Sequence, residues 1–211
     1  MKLKETLAIV KVVPVCVFDN VDSALKTAEL LMKNRVNIIE ITLRTEAAFD
    51  CIAAVVKEFN DMAAGAGSVF NAEQLKKAQG AGSVFAVSPC FDEDLIDVAE
   101  KSAIPFVPGV ATPGELFRAI KRTSVIKLFP AESLGGTDYI KAAFAPFKMF
   151  DYSLMPTGGI DNKNFRKYLE LDKVIACGMS YPVSDKLIGE GRYDLLDERI
   201  KEVYQGIIEV E

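Results

Sequence analysis

The most constraining feature of this chain is a regular alternation of short apolar runs with longer amphipathic segments. Eight apolar runs occur in 211 residues, and most are rich in β-branched or aromatic side chains, as is typical of strands covered on both faces. The segments between them carry helix start signals, namely a capping box at residues 112–115 and the N-cap residues Asn71 and Asp92. The runs span residues 12–18, 37–43, 62–67, 84–89, 104–110, 125–130, 152–159 and 173–178. The pattern predicts an α/β protein with parallel strands.

Eight strand–helix units in a chain of this length predict a compact (β/α)₈ barrel, the TIM-barrel fold. We expect residues 1–211 to form a single domain, with a short N-terminal helix and a long amphipathic helix over residues 193–210. The rival architecture is an open, doubly wound sheet. That fold would carry a glycine fingerprint after its first strand, and residues 15–24 contain no glycine. The absence favours the barrel.

The hexapeptide GAGSVF occurs twice, at residues 65–70 and again at residues 80–85. In the first copy the glycines close an apolar run, so Ser68 is predicted to stand at the carboxyl end of a strand. In the second copy the glycines end a helical segment, so Ser83 is predicted to stand before the next strand. In a barrel the carboxyl ends of the strands form the catalytic face and the amino ends form the stability face. Ser68 is therefore a candidate site residue, Ser83 is a loop residue, and the two copies are not a structural repeat.

Composition excludes several kinds of chemistry. The chain contains no histidine, so Ser-His-Asp and Cys-His nucleophile systems and histidine-ligated metal sites cannot be built within one chain. The net charge of −5 gives no reason to expect nucleic acid or an anionic membrane as a partner, and no run reaches the length of a membrane span. The four cysteines are scattered without a CxxC pair, which predicts reduced thiols in the cytoplasm. Acid–base chemistry must use carboxylates, lysine, tyrosine or water.

Polar and apolar side chains alternate in the second run. Glu40, Thr42 and Arg44 share one parity, and the residues between them are isoleucine and leucine. Since successive side chains of a strand point to opposite faces, the polar set is predicted to point into the barrel or its mouth. Spacing alone leaves two interpretations open, because Glu40 and Arg44 can form either a functional site or an internal ion pair that stabilises the barrel.

A single lysine, Lys127, interrupts the apolar run 125–130. Lysine is almost never fully buried without a partner. One interpretation is a side chain whose ammonium group reaches solvent at the rim of the barrel. The other is a desolvated amine that is partly neutral and ready to form a Schiff base with a ketone.

Glycines mark the ends of the seventh and eighth runs. Gly158 and Gly159 close the seventh run, and Gly178 closes the eighth, two residues before Ser180. Glycine lets backbone amides approach a ligand closely, and the loops after strands 7 and 8 are the usual phosphate site of a (β/α)₈ barrel. Free amides at a helix N-terminus suit a dianion. The pattern predicts a phosphate site here, with a simple turn as the alternative.

In combination these segments resemble the KDPG/KHG aldolase family, class I aldolases that cleave 2-keto-3-deoxy-6-phosphogluconate or 4-hydroxy-2-oxoglutarate. The resemblance covers nearly the whole chain and rests on motifs in the order and spacing of the family. The motifs are EITLRT (40–45), GAGSV (65–69), SPC (88–90), IKLFPAE (126–132), PTGGI (156–160) and CGMS (177–180). The resemblance implies a homotrimer of (β/α)₈ barrels, a small keto-acid substrate, and no metal or other cofactor.

The resemblance also implies a role for each candidate residue. Lys127 would be the Schiff-base lysine and Glu40 the general acid–base. The implied substrate-binding residues are Arg44, Ser68, Pro89, Cys90 and Thr157, and the implied phosphate-binding residues are Gly158, Gly159 and Ser180. Arg44 and Ser68 would hold the pyruvyl carboxylate. The expected products are pyruvate and glyceraldehyde 3-phosphate from the phosphogluconate derivative, or pyruvate and glyoxylate from 4-hydroxy-2-oxoglutarate.

Three positions depart from the family pattern. Ser68 stands where the family usually has threonine, Cys90 replaces the glycine of the usual SPG, and Met179 replaces the second glycine of the usual GGS phosphate loop. The Met179 replacement weakens the expectation of tight phosphate binding. Three alternatives stay open: an aldolase for the 6-phosphogalactonate isomer, a non-catalytic phosphate- or keto-acid-binding barrel, and a phosphate-binding barrel synthase or isomerase that forms no imine.

Overall fold

The computed structural model describes residues 3–208, and within them nine strands alternate with ten α-helices and two short 3₁₀ helices. The strands are β1 (Val12–Cys16), β2 (Ile38–Thr42), β3 (Ala63–Gly67), β4 (Phe85–Val87), β5 (Phe106–Val107), β6 (Gly109–Val110), β7 (Val125–Leu128), β8 (Ser153–Pro156) and β9 (Cys177–Met179). The α-helices are α1 (Leu3–Val10), α2 (Val21–Lys33), α3 (Ala48–Glu58), α4 (Ala72–Gly80), α5 (Glu93–Lys101), α6 (Pro113–Ile120), α7 (Gly136–Ala143), α8 (Phe165–Leu169), α9 (Asp185–Gly189) and α10 (Tyr193–Ile208). Seven of the eight apolar runs contain a whole strand, and the eighth, residues 173–178, overlaps the first two residues of β9. The predicted helix 193–210 extends past the described residues by two positions.

Every strand pair in the described residues is parallel. A six-stranded sheet has the order β5-β4-β3-β2-β1-β9, and a three-stranded sheet has the order β6-β7-β8. Apart from β9, neighbours in the sheet are neighbours in the chain. In a doubly wound sheet the later strands continue outward beyond β1 in the same sheet, whereas β6, β7 and β8 form a sheet of their own, which argues against the doubly wound alternative.

The two sheets approach each other at both of their margins. On one side, isolated parallel bridges join Leu154 to Val174 and Thr157 to Gly178, next to β8 and β9. On the other side, β5 and β6 follow one another in the chain and are separated by Pro108 alone. The run 104–110 was predicted as one strand, and that prediction is wrong. Proline has no amide hydrogen to donate and interrupts the ladder, although the Pro108 carbonyl still accepts from the Lys127 amide at 2.9 Å.

Helix starts follow the predicted signals. Thr112 and Glu115 form a reciprocal capping box at α6, and Asn71 and Asp92 each accept a hydrogen bond from the backbone amide three residues further on. The short N-terminal helix is also confirmed, because α1 packs its Leu7 side chain into the apolar core. These caps fix where each helix begins and so fix the lengths of the loops after the strands.

The two GAGSVF copies differ as predicted. Ser68 directly follows β3, is 6% exposed and has a left-handed backbone with φ of 57°. Ser83 precedes β4, and its hydroxyl donates to the Phe85 carbonyl at 2.7 Å. Because all strands are parallel, Ser68 lies at the same end of the sheet as the segments that follow β2, β7, β8 and β9. The candidate residues therefore share one face of the molecule.

Candidate active site

A buried lysine–carboxylate pair occupies the interior of the fold. Lys127 on β7 is 4% exposed and Glu40 on β2 is fully buried. Lys127 Nζ donates to Glu40 Oε1 at 3.5 Å. In the described residues Glu40 Oε2 has no hydrogen-bond partner, which is uncommon for a buried oxygen. The arrangement leaves one carboxylate oxygen free to exchange a proton with a bound molecule. It also rejects the interpretation of Lys127 as a lysine that reaches solvent at the rim.

The position of Glu40 depends on a glycine of the neighbouring strand. The parity prediction for β2 is confirmed, since Ile39 and Ile41 pack in the apolar core while Glu40 meets Lys127. Gly67 lies on β3, where a Cβ atom would overlap Glu40 Oε1 and approach Glu40 Cδ to 2.8 Å. The space that holds the carboxylate therefore exists because residue 67 has no side chain.

We expect the substitution Gly67→Ala to lower kcat by about 10²-fold, the size of effect that a displacement of about 1 Å in a reacting group can produce. The new methyl group would push the Glu40 carboxylate away from Lys127. Gly80→Ala is the matched control from the second GAGSVF copy, because a Cβ at Gly80 meets no atom within 4 Å. Steady-state kinetics on both variants would check this, and equal activity of the two would show that Gly67 does not set the position of Glu40.

Arg44 and Ser68 form a second polar contact at the mouth of the site. The Arg44 Nε–H group donates to Ser68 Oγ at 3.3 Å. Arg44 is exposed, whereas Ser68 is buried. The remaining guanidinium nitrogens can pair with a carboxylate in the planar, two-pronged geometry that lysine cannot offer. In the described residues Arg44 forms no ion pair with Glu40. The Glu40 carboxylate faces Lys127 instead.

A cavity of about 250 Å³ brings together half of the candidate residues. Its lining includes Arg44, Thr157, Gly158, Gly159 and Ser180. Gly158 and Gly159 have left-handed backbones, with φ values of 99° and 77°, a conformation that glycine adopts without strain. The cavity lining does not include Lys127, Glu40, Ser68, Pro89 or Cys90.

Phe129 connects the buried pair to this cavity. Its ring lines the cavity, and its centroid lies 5.4 Å from Lys127 Nζ. Phe129 was not among the predicted site residues, although it stands inside the IKLFPAE motif two residues after the lysine. That spacing on one strand was the available signal, because residues two apart share a face.

Asp185 also lines the cavity and was not predicted. It is the first residue of α9, and its carboxylate accepts from the Lys186 amide at 2.8 Å. An acidic side chain in the first turn of a helix is stabilised by the helix dipole. Ser180 is followed by a 3₁₀ helix, Tyr181–Val183, so no long α-helix starts directly at Ser180.

Met179 does not intrude into the cavity. Its side chain is 1% exposed and packs in the apolar cluster with Val12, Cys177 and Val203. The preceding residue, Gly178, is the one that packs closely against Thr157, because a Cβ atom there would overlap the Thr157 hydroxyl. The replacement of the family glycine by methionine therefore leaves the cavity wall at Thr157 unchanged.

Pro89 and Cys90 lie in the loop after β4, outside the lining of this cavity. The Ser88 hydroxyl accepts from the Cys90 amide at 3.3 Å and lies 3.5 Å from the Cys90 sulfur. The Cys90 carbonyl accepts from the Gly109 amide at 3.2 Å, which holds the loop against β6. The thiol itself is exposed.

Residues 3–208 contain no cluster of three or more cysteine, aspartate or glutamate side chains suited to a metal ion. Among the helices in that part of the chain, none combines the length and apolar character needed to cross a bilayer. All four cysteine thiols are free.

An amine can attack a carbonyl carbon when a neighbouring base takes its proton, and Lys127 is buried with its Nζ atom 3.5 Å from the Glu40 carboxylate. In a parallel α/β fold, this pair defines an enzyme that forms a covalent lysine intermediate with a carbonyl compound. The chain belongs to the KDPG and KHG aldolase family, whose model matches residues 3–199. The family resemblance seen in the sequence is thereby confirmed.

Relatives and solved structures agree with this assignment. The chain is 40% identical to the 2-dehydro-3-deoxy-phosphogluconate aldolase of Pseudoalteromonas atlantica, over 92% of this chain and 90% of the relative. It is 37% identical to the KHG/KDPG aldolase of Escherichia coli, over 92% of this chain and 91% of the relative. The KDPG aldolase of Legionella pneumophila, solved with pyruvate captured as a covalent carbinolamine intermediate, superposes with a TM-score of 0.91 at 33% identity, covering 97% of this chain and 98% of that one.

Proposed function

We propose that this chain is a class I aldolase, a lyase that cleaves 2-keto-3-deoxy-6-phosphogluconate to pyruvate and glyceraldehyde 3-phosphate. The observation that carries the proposal is the buried contact between Lys127 and Glu40 at 3.5 Å. The names of the relatives supply the substrate class, since the aldolase of Pseudoalteromonas atlantica is named for this phosphogluconate derivative.

In this proposal Lys127 is the nucleophile. Proton transfer from the Lys127 ammonium group to Glu40, whose Oε1 lies 3.5 Å away, supplies the neutral amine that the reaction needs. The amine nitrogen then forms a bond to the ketone carbon of the substrate. Glu40 returns its proton to the carbinolamine hydroxyl, and loss of water leaves a protonated imine.

Glu40 then acts as the base for carbon–carbon cleavage. It takes the proton of the C4 hydroxyl while the C3–C4 bond breaks, and the electron pair of that bond moves into the protonated imine to give an enamine. The aldehyde leaves, Glu40 returns the proton to C3 of the enamine, and water hydrolyses the resulting imine to release pyruvate and the free amine of Lys127. The free Oε2 atom of Glu40 supports this role, because it can accept the hydroxyl proton without breaking another hydrogen bond.

The other candidate residues bind the two ends of the substrate. Arg44 and Ser68, already joined at 3.3 Å, would hold the pyruvyl carboxylate. Thr157 would contact the middle of the substrate. Pro89 and Cys90 would lie beside the carboxylate, and Gly158, Gly159 and Ser180 would surround the phosphate. The Gly159 amide supports the phosphate assignment, since it donates no backbone hydrogen bond in the described part of the chain.

A second candidate substrate is 4-hydroxy-2-oxoglutarate, which would give pyruvate and glyoxylate. The relative in Escherichia coli is named KHG/KDPG aldolase, and a solved structure named 4-hydroxy-2-oxoglutarate aldolase/2-deydro-3-deoxyphosphogluconate aldolase superposes with a TM-score of 0.86 at 29% identity. Pyruvate release should be measured with both substrates and with the 6-phosphogalactonate isomer. Preference for the isomer would overturn the substrate assignment, and no release from any of them would favour a non-catalytic barrel.

We also propose that residues 1–211 form one domain in which the two sheets close into a (β/α)₈ barrel. The two isolated bridges between β8 and β9, and the direct succession of β5 and β6, support closure. A cytoplasmic location fits the free thiols. A homotrimer is the proposed assembly, and sedimentation equilibrium would test it.

The reaction proposed for this site uses no metal ion, because the protonated imine is itself the electron sink. The proposed aldolase therefore contains no cofactor. Its partners are small keto acids, and neither nucleic acid nor a membrane takes part.

Cys90 offers a chemical probe of the loop after β4. The other three cysteines are buried. Burial raises the pKa of the Cys16 and Cys177 thiols, and burial with the nearby Asp50 carboxylate raises the pKa of Cys51 to about 11. These three thiols therefore stay protonated and unreactive near neutral pH.

We expect a thiol-alkylating agent to label Cys90 first and to inactivate the enzyme, because the proposal places this residue beside the pyruvyl carboxylate. Pyruvate should slow the inactivation, and Cys90→Gly should keep activity and resist the reagent. Mass spectrometry of the labelled protein with parallel activity assays would check this. Full labelling of Cys90 without loss of activity would remove Cys90 from the substrate site.

A further inference from the structure

The loop after β8 is tied to the loop after β7, which carries the IKLFPAE motif. The Ala131 amide donates to the Thr157 carbonyl at 2.8 Å, and the Glu132 amide donates to the Gly158 carbonyl at 3.1 Å. We call residues 157–160 the glycine loop. Its first half is thus held by the backbone of the segment that follows the lysine strand.

The side chain of Glu132 reaches beyond the glycine loop to α8, the helix that follows it. The Tyr168 hydroxyl donates to Glu132 Oε1, and Tyr168 is fully buried. Burial, reinforced by this hydrogen bond, raises the pKa of Tyr168 and keeps the phenol protonated as a donor. Because the acceptor is a carboxylate, the bond is of the stronger, charge-assisted kind.

Gly159 packs directly against Glu132. A Cβ atom at Gly159 would lie 2.6 Å from Glu132 Cβ and 2.9 Å from Glu132 Cγ. The same pair is enclosed on another side, where a Cβ at Gly136 would lie 3.1 Å from Glu132 Oε1 and 3.4 Å from the Tyr168 hydroxyl. The Glu132 side chain therefore lies against the left-handed turn of the glycine loop on one side, while another side of the residue is exposed to solvent.

We propose that Glu132 and Tyr168 are positioning residues that hold the glycine loop in the conformation that binds the distal anionic group of the substrate. They touch neither the reacting carbons nor the lysine–carboxylate pair. This inference rests on the proposed function, in which the glycine loop receives the phosphate. It assigns a use to the glutamate of IKLFPAE that is separate from the use of its lysine.

Glu132 and Tyr168 should affect the affinity for the substrate and not the formation of the imine. Lys127 is held by the strand ladder. Its backbone amide donates a hydrogen bond to the Pro108 carbonyl at 2.9 Å, and the residue lies in register opposite Gly109 and Met155. In the described residues, no hydrogen bond joins Glu132 or Tyr168 to Lys127 or Glu40. Loss of the Tyr168 hydroxyl would therefore loosen the glycine loop and leave the lysine in place.

The test is Tyr168→Phe, which keeps the buried ring and removes the hydroxyl. We expect KM for 2-keto-3-deoxy-6-phosphogluconate to rise about tenfold, the effect of losing one hydrogen bond to a charged group, with a much smaller change in kcat. Exchange of the pyruvate methyl protons with D₂O, followed by NMR, should keep its rate, because exchange needs the imine but no distal anion. Tyr139→Phe is the matched control, since its hydroxyl bonds the Ala111 carbonyl at 2.6 Å, and it should leave KM unchanged.

An unchanged KM in Tyr168→Phe, or a fall in pyruvate exchange that matches the loss of cleavage, would overturn the inference.

Should Tyr168→Phe fail to fold, the variants Glu132→Ala and Glu132→Gln test the same inference. Glutamine keeps the acceptor and should keep KM near that of the unsubstituted chain, whereas alanine should raise it, and equal KM values would overturn the inference. Absence of pyruvate exchange in the unsubstituted chain would contradict the proposed function instead. The affinity of the same variants for inorganic phosphate, measured by calorimetry, would then test the role of Glu132 and Tyr168.

Discussion

Replacement of Lys127 by arginine should abolish aldol cleavage, with a loss on the order of 10⁶-fold, comparable to the removal of a covalent nucleophile in other enzymes. Arginine keeps the positive charge beside Glu40, but its guanidinium group stays protonated and is a poor nucleophile. The variant therefore distinguishes a lysine that acts as a nucleophile from one that acts only through its positive charge. The measurement is pyruvate release from 2-keto-3-deoxy-6-phosphogluconate by the purified protein.

A matched control comes from a lysine outside the site. Lys173 donates to the Phe150 carbonyl at 2.8 Å and does not line the candidate cavity. Lys173→Arg should keep full activity. Substantial turnover by Lys127→Arg, with circular dichroism showing a folded chain, would show that the lysine acts as an electrostatic group, as in a barrel enzyme that forms no imine.

Replacement of Glu40 by glutamine should lower turnover by roughly 10² to 10⁴, the usual contribution of general acid–base catalysis. Glutamine preserves the shape of the side chain in the space next to Gly67 and removes the group that accepts the hydroxyl proton. The glutamine carbonyl oxygen can still accept a hydrogen bond from Lys127, so the fold should persist. The measurement is kcat per folded molecule, with the folded fraction taken from thermal unfolding.

Glu115→Gln provides the comparison for this variant. The Glu115 carboxylate accepts hydrogen bonds from the Ala111 and Thr112 amides at the start of α6, so its change should affect stability slightly and turnover not at all. A Glu40→Gln chain that unfolds but keeps its activity per folded molecule would identify the buried pair as a structural ion pair.

Much of the framework could be predicted from the sequence because it depends on local periodicity. The parity of EITLRT placed Glu40 on the inner side of its strand, and the phase of the two GAGSVF copies placed Ser68 and Ser83 at opposite ends of theirs. Capping residues such as Asp92 act within one turn, so they too are local signals. The break at Pro108 is local as well, but the missing amide hydrogen of one proline is a weaker signal than the apolar character of its neighbours, which favours a continuous strand.

The rest of the site depends on contacts between segments that are far apart in the chain. The register of β2 against β3 pairs Gly67 with Thr42, two residues past Glu40, and so brings Gly67 to the Glu40 carboxylate. No periodicity within either strand reveals that register. Glu132 and Tyr168 are 36 positions apart, and their contact follows from how α8 packs. Met179 was expected to weaken the phosphate loop, yet its side chain points into the core, because strand alternation directs it away from the cavity. Sequence motifs can name such residues without showing what they touch.

The most direct test of the central claim is the site of covalent trapping. Incubation with pyruvate and sodium borohydride should reduce the imine to a secondary amine and leave one carboxyethyl group on the chain. Peptide mass mapping should place that group on Lys127, and Lys127→Arg should carry none. An adduct on a different lysine, or no adduct under conditions in which the protein cleaves its substrate, would contradict the Schiff-base mechanism.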